Sequence, residues 1–264
     1  NKFNKGMKFC LKASIPLMAV GMASVASAAD IVTMWSYSTD ATFSNGAFTS
    51  GTGTTTTDPY ELSWGGTQPY DNPLAVPPIN PNSFLNRSAI TVGTVETQPG
   101  PGSVPGPKDG GGPATGTVLT SENGIPDIPG EVGPGSSFTH WNNPINVALA
   151  QLTGARITDT LTLTSLDGPM AGSSVNAPDI IFDFSFLETP NAAACAAGTP
   201  NPCGDLLGFA PIPSLNLPFI FDDVQYLANV LAFLGDDLNN PQPIPFLDPE
   251  ECQQLGFGNG LCQG

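Results

Sequence analysis

Ile180-Ile181-Phe182-Asp183-Phe184-Ser185-Phe186-Leu187 is the stretch that decides the fold class of this chain. Ile180, Phe182, Phe184 and Phe186 take every second position, with Ile181, Asp183, Ser185 and Leu187 between them. Successive side chains of a strand point to opposite faces, so this spacing predicts a β-strand with one heavily apolar side. Burial of four such side chains is worth roughly 6–12 kcal/mol before chain entropy is counted. The segment is therefore expected near the centre of the core.

Working outward, Ile157 to Leu166 (ITDTLTLTSL) alternates in the same way through Leu161 and Leu163. Earlier strands are expected at Ile31–Ser38, Tyr60–Trp64 and Ala89–Val95, each rich in β-branched or aromatic residues, with the Ser/Thr/Gly tract from Phe48 to Thr57 as a hairpin arm or loop. Phe219 to Leu234 fits both periods: Val224, Tyr226, Ala228 and Val230 suit a strand, and Val224, Leu227, Ala228 and Leu231 a helix. The β-rich surroundings favour the strand. The expected fold is an all-β antiparallel sandwich, jelly-roll-like or immunoglobulin-like.

Composition agrees. Thirty glycines and 28 prolines in 264 residues disfavour long helices and suit short strands joined by many turns. From Pro99 to Gly116, 12 of 18 residues are Gly or Pro without a strict period of three, which reads as a flexible loop and not as a collagen repeat. The expected organisation is one sandwich domain over residues 29–264, with a Gly/Pro-rich loop at about 98–135.

The start of the chain reads as a secretory leader over residues 7–28. Lys8 and Lys12 supply the positive region, Leu11 to Val25 the apolar one, and Ala26-Ser27-Ala28 the small-residue cleavage signature. The apolar run falls short of the roughly 20 residues that a membrane span needs. Asn1–Gly6 then reads as upstream sequence. Removal of the leader takes four lysines and leaves Arg87, Lys108 and Arg156 against 23 acidic residues, a net charge of −20. Such a balance repels phosphate, so nucleic acid is excluded as a partner.

Cys10 would leave with the leader, and Cys195, Cys203, Cys252 and Cys262 remain. In an oxidising compartment four cysteines read as two disulfides with three open connectivities. Cys195–Cys203 with Cys252–Cys262 is favoured, because each pair closes a short loop containing Gly or Pro. A zinc site is the competing reading, but the spacings are not of the CxxC type.

Chemistry-bearing motifs are scarce. His140 is the single histidine, and no G-x-S-x-G elbow, P-loop, HExxH or EF-hand loop is present. A carboxylate pair for glycoside hydrolysis remains open, with Asp183 and Glu188 near the central strand, although outward solvation and loop bonding are their expected roles. Acidic clusters at Asp222-Asp223, Asp236-Asp237 and Asp248-Pro249-Glu250-Glu251 read first as solubilising turns and second as weak Ca²⁺ sites. No cofactor is expected, and the chain reads as a non-enzyme.

One string carries a resemblance. Thr139-His140-Trp141-Asn142-Asn143-Pro144-Ile145 resembles the signature of the THxN family of PEP-CTERM proteins. Trp35, Leu62-Ser63-Trp64-Gly65, Arg87-Ser88-Ala89-Ile90, Leu161-Thr162-Leu163-Thr164 and Phe186-Leu187-Glu188-Thr189-Pro190-Asn191 are similar to further family segments and fall in the same order. The resemblance implies export by a Gram-negative, exopolysaccharide-producing bacterium, with sorting at the envelope by an exosortase-type system. The family's sorting tag does not precede Gly264, which reads as a chain cut short, with a released member of the family as the alternative. Thr139, His140, Trp141, Asn142 and Asn143 then have two readings: a packed strand-to-loop corner, or a sugar contact with Trp141 as stacking platform. The leading functional expectation is a non-enzymatic cell-surface or matrix protein associated with extracellular polysaccharide or envelope assembly. A carbohydrate-binding module is the alternative, and a secreted glycan-active enzyme the third.

Overall fold

The computed structural model describes residues 6–14, 31–66, 87–94, 112–121, 132–141, 145–189, 205–210, 216–234, 242–258 and 260–264. In chain order the strands are β1 (Gly6–Ser14), β2 (Met34–Phe48), β3 (Thr54–Asp58), β4 (Glu61–Gly65), β5 (Arg87–Thr94), β6 (Ala114–Ser121) and β7 (Val132–Trp141). They continue as β8 (Leu152–Ser165), β9 (Ser174–Asn176), β10 (Ile180–Leu187), β11 (Leu206–Phe209), β12 (Asn216–Phe221), β13 (Val224–Leu234) and β14 (Gln242–Pro243). One short helix follows, α1 (Pro249–Gln254). The chain is all-β and sandwich-like, its antiparallel sheets curling towards a half-barrel. Among the described residues no helix is long and apolar enough to cross a membrane.

The alternation read from sequence is the alternation that builds the core. In β10, Ile180, Phe182, Phe184 and Phe186 are buried, while Ile181 is 55% exposed on the other face. In β8, Ile157, Leu161 and Leu163 are buried on one side. β2 runs antiparallel to β8 from Trp35↔Ser165 to Phe48↔Leu152, with shifts near Asn45, whose φ of 55° bends the strand. These strands lie in the order β11-β10-β8-β2-β6, and a second set follows as β1-β7-β5-β4-β3, with β12 and β14 attached through β13. The two sets meet across the core. Phe43 of β2 and Phe184 of β10 pack edge-on against Phe138 of β7, and Trp35 of β2 packs against Phe219, Phe221 and Tyr226. Tyr37 explains two strand glycines: a Cβ at Gly116 would come within 2.6 Å of it, and one at Gly133 within 2.4 Å.

Several expectations are corrected. The stretch 98–135 is not one loop, because β6 lies inside it and β7 opens at Val132; Thr117-Val118-Leu119-Thr120 is a β-forming run that follows the Gly/Pro tract directly. β2 extends ten residues past Ser38, and the Phe48–Thr57 tract ends in a true strand, β3. Phe219–Leu234 is a hairpin. Its turn is Asp222-Asp223, both with positive φ (49° and 60°), so this acidic pair fills the two left-handed positions of a tight turn. β10 contributes centrally to the core, yet it stands second from the end of the strand order.

β1 falls within residues read as upstream sequence and leader. Met7, Phe9, Leu11 and Ala13 alternate with Lys8, Cys10, Lys12 and Ser14, a pattern that suits a strand as well as a leader. Its backbone pairs antiparallel with β13 and β7, and parallel with β6 over Ala13↔Thr120 and Ser14↔Ser121. This short contact is what joins the two sets of strands.

Candidate functional site

Several of the segments singled out by sequence meet at one place between the sheets. β4 brings Trp64, which is fully buried. β5 lies between β4 and β7, pairing Ser88 with Trp64 and Ile90 with His140. The His140 ring stacks on Trp64 with centroids 6.0 Å apart and planes 15° apart, and meets the Phe186 ring edge-on at 5.0 Å. Trp64 Nε1 donates a hydrogen bond of 3.0 Å to Glu188 Oε2. Beyond Glu188 the chain leaves the described residues after Thr189 and returns at Asp205. There Asp205 Oδ1 accepts from the Thr189 backbone N–H at 2.8 Å and from Thr189 Oγ1 at 3.3 Å. These bonds tie Thr189 to Asp205 and make a neck between the two described stretches. Asp205 Oδ2 faces His140 Nε2 at 3.8 Å, too far for a direct hydrogen bond.

Three polar atoms in this cluster are sealed from solvent without a hydrogen-bond partner: His140 Nε2, Glu188 Oε1 and Asp205 Oδ2. The His140 side chain keeps 20% of its surface exposed, but not at Nε2. Burial disfavours charge on all three residues. It lowers His140 to a pKa of about 4. It raises Glu188 to about 8, with the neighbouring Asp205 charge adding to the rise and the Trp64 bond opposing it. It raises Asp205 to about 6 against the hydrogen bonds from Thr189. The cluster thus favours a neutral imidazole beside carboxyl groups that hold protons.

A second buried acid lies elsewhere in the core. Asp159 of β8 accepts from Thr39 Oγ1 at 2.5 Å, and burial raises its pKa to about 6.

The residues expected from sequence divide clearly. Thr139 is buried in β7, and His140 is packed between aromatic rings. Trp141 closes β7 by pairing with Ala89, but its side chain and the whole of Asn142 and Asn143 lie outside the described residues. Cys195, Cys203, Asp236 and Asp237 lie outside them too. Cys252 and Cys262 are joined in a disulfide, and both are fully buried with Leu206 and Leu255 in a small cluster of their own. Asp248 and Glu251 form a capping box at the start of α1, so this acidic run is also spent on local structure. Among the described residues no three His, Cys, Asp or Glu side chains are grouped to hold a metal ion.

Asp183 and Glu188 do not form a carboxylate pair. Asp183 is solvent-exposed and takes a bidentate contact from Arg156, at 2.7 and 2.8 Å. Glu188 is 7% exposed and bonded to Trp64, which corrects the expectation that it faces outward. The signal was present in the sequence, since Glu188 continues the even-numbered positions of Phe182, Phe184 and Phe186. Asp205 carried no such signal, because it stands 16 residues beyond Thr189 and outside the alternation of β10.

In comparisons with family models, with curated proteins and with solved structures, the chain finds no match.

Proposed function

We propose that this chain is an exported, non-enzymatic protein of the bacterial cell surface or extracellular matrix, associated with exopolysaccharide or envelope assembly. The observation that carries the reading is the convergence of the THxN-like segments. Trp64 from Leu62–Gly65, Ile90 from Arg87–Ile90, His140 from the motif itself, and Phe186, Glu188 and Thr189 from Phe186–Asn191 surround one enclosed cluster. A motif spent on joining strands is an architectural motif. The single histidine of the chain turns Nε2 inward, where a dissolved substrate does not reach it. The acidic composition and the ordered resemblance support the export part of the reading.

Cell fractionation and immunolabelling in a native producer test the reading. Surface or matrix labelling is expected, and a stably cytoplasmic protein would overturn it. A glycan array separates the carbohydrate-binding alternative. Binding abolished by Trp141→Ala would replace the architectural reading with a recognition one.

A further inference from the structure

We infer that Glu188, Asp205 and His140 form a proton-held latch that closes the Thr189–Asp205 neck onto β4 and β7, and that the latch opens when its proton is lost. The inference concerns the fold itself and stands apart from the proposed localisation.

The geometry comes first. Asp205 Oδ1 ties the two ends of the neck together through Thr189, Glu188 Oε2 ties the outgoing end to Trp64, and Asp205 Oδ2 looks at His140. Each of the three residues also leaves one sealed atom without a partner. The Glu188 residue is 93% buried, and the Asp205 side chain is 3% exposed. Two carboxyl groups in one buried site cannot both ionise cheaply, because each anion loses hydration and meets a like charge. A proton retained between them removes that cost and supplies a donor for the unpartnered acceptors.

Among the described residues, groups on the surrounding elements do not supply the missing charge. On β4, Glu61 stands three residues from Trp64 and so on the opposite face. Arg87 of β5 is held on that opposite face by Ser63, Thr54, Thr56 and the Gly66 carbonyl. On β10, Asp183 points outward to Arg156 of β8. Near α1, Asp248 and Glu251 are engaged in their own cap. His140 is the one described side chain of β7 that titrates, and burial keeps it neutral.

The sign follows from linkage. Well below pH 4 both carboxyls are protonated in the folded and unfolded chain alike, so the latch contributes fully. As pH rises the unfolded chain ionises first, and stability falls until the folded groups ionise in turn, Asp205 near 6 and Glu188 near 8. His140 acts oppositely, since its lowered pKa costs stability only below about 6.5. Between pH 6.5 and 8, the Glu188–Asp205 pair therefore acts without His140. One proton retained by the folded state means that the unfolding constant rises by up to about tenfold per pH unit in that window.

The test uses the full chain and its single histidine. The ring resonances of His140 are followed by NMR from pH 4 to 9 in the wild type and in Glu188→Gln. Stability is followed by denaturant titration over the same range, and hydrogen exchange is read at Phe186–Thr189. Expected are no histidine titration near 6.5, a step in the His140 shifts near pH 8, and a matching loss of protection at the neck. In Glu188→Gln, which keeps the shape without the titration, the step and the alkaline slope disappear. A His140 that titrates near 6.5 in the wild type would overturn the latch, even if the variant fails to fold. So would an alkaline step that survives in Glu188→Gln.

Discussion

Trp35 and Trp64 are both fully buried, and both join strands of the two sets, yet they are held in opposite ways. Trp35 sits among Phe219, Phe221 and Tyr226, with ring centroids at 5.7, 5.1 and 5.2 Å. The polar atoms there are matched in pairs. Trp35 Nε1 donates to Thr120 Oγ1, Thr120 Oγ1 donates to the Val32 carbonyl, and the Val32 N–H donates to the Tyr226 hydroxyl. Around Trp64 the single indole donor meets a carboxyl group, and three further polar atoms stay unmatched. Equal burial therefore does not mean equal dependence on conditions. The Trp35 region rests on apolar contact and closed hydrogen bonds, whereas the Trp64 region rests on where a proton resides.

The largest expected effect breaks the first region. Trp35→Ala removes the ring on which three aromatic side chains pack and should cost about 3–5 kcal/mol in denaturant titration. The loss should be the same at pH 6 and pH 8. A loss that changes strongly between the two would mean that the regions are not separate. Next comes the disulfide. Cys252→Ser with Cys262→Ser opens a loop of about ten residues and should cost about 2–3 kcal/mol. Because Leu206 of β11 packs in the same small cluster, the damage should spread to neighbouring Asp205. It should move the His140 resonances while leaving near-ultraviolet signals from Trp35 in place. The smallest effect is the sharpest. Trp64→Phe and Trp35→Phe each delete one indole donor, at about 1–3 kcal/mol. The Trp64 bond holds the Glu188 pKa down, so its loss should carry the alkaline step to higher pH. Trp35→Phe should leave that step unmoved, and pH-dependent melting compares the two directly.

Much of this architecture was legible as periodicity. The even positions from Ile180 to Phe186 and the Leu161–Leu163 alternation fall on buried faces as read, because a strand has only two faces to choose from. The same arithmetic reaches Glu188, where the habit of placing carboxylates outside overrides it. Asp222-Asp223 hid for another reason. Two adjacent acids look like surface charge, and their use as a hairpin turn depends on backbone angles that composition does not reveal. The companions of His140 were the least accessible, since Trp64, Glu188 and Asp205 are far apart in sequence and meet only through the pairing of β4, β5 and β7 and the return at β11. Adjacent letters in the motif, by contrast, drew attention to Trp141 and Asn142.

The chain of donors around Trp35 has a temporal meaning. Its indole hydrogen is buried, bonded and backed by a hydroxyl whose own hydrogen is committed to the Val32 carbonyl. Exchange of that hydrogen with heavy water demands separation of β2 from the β12–β13 hairpin, which amounts to opening the molecule as a whole. It should disappear more slowly than the Trp64 indole hydrogen, and its lifetime is a clock for global unfolding set inside the protein's own core.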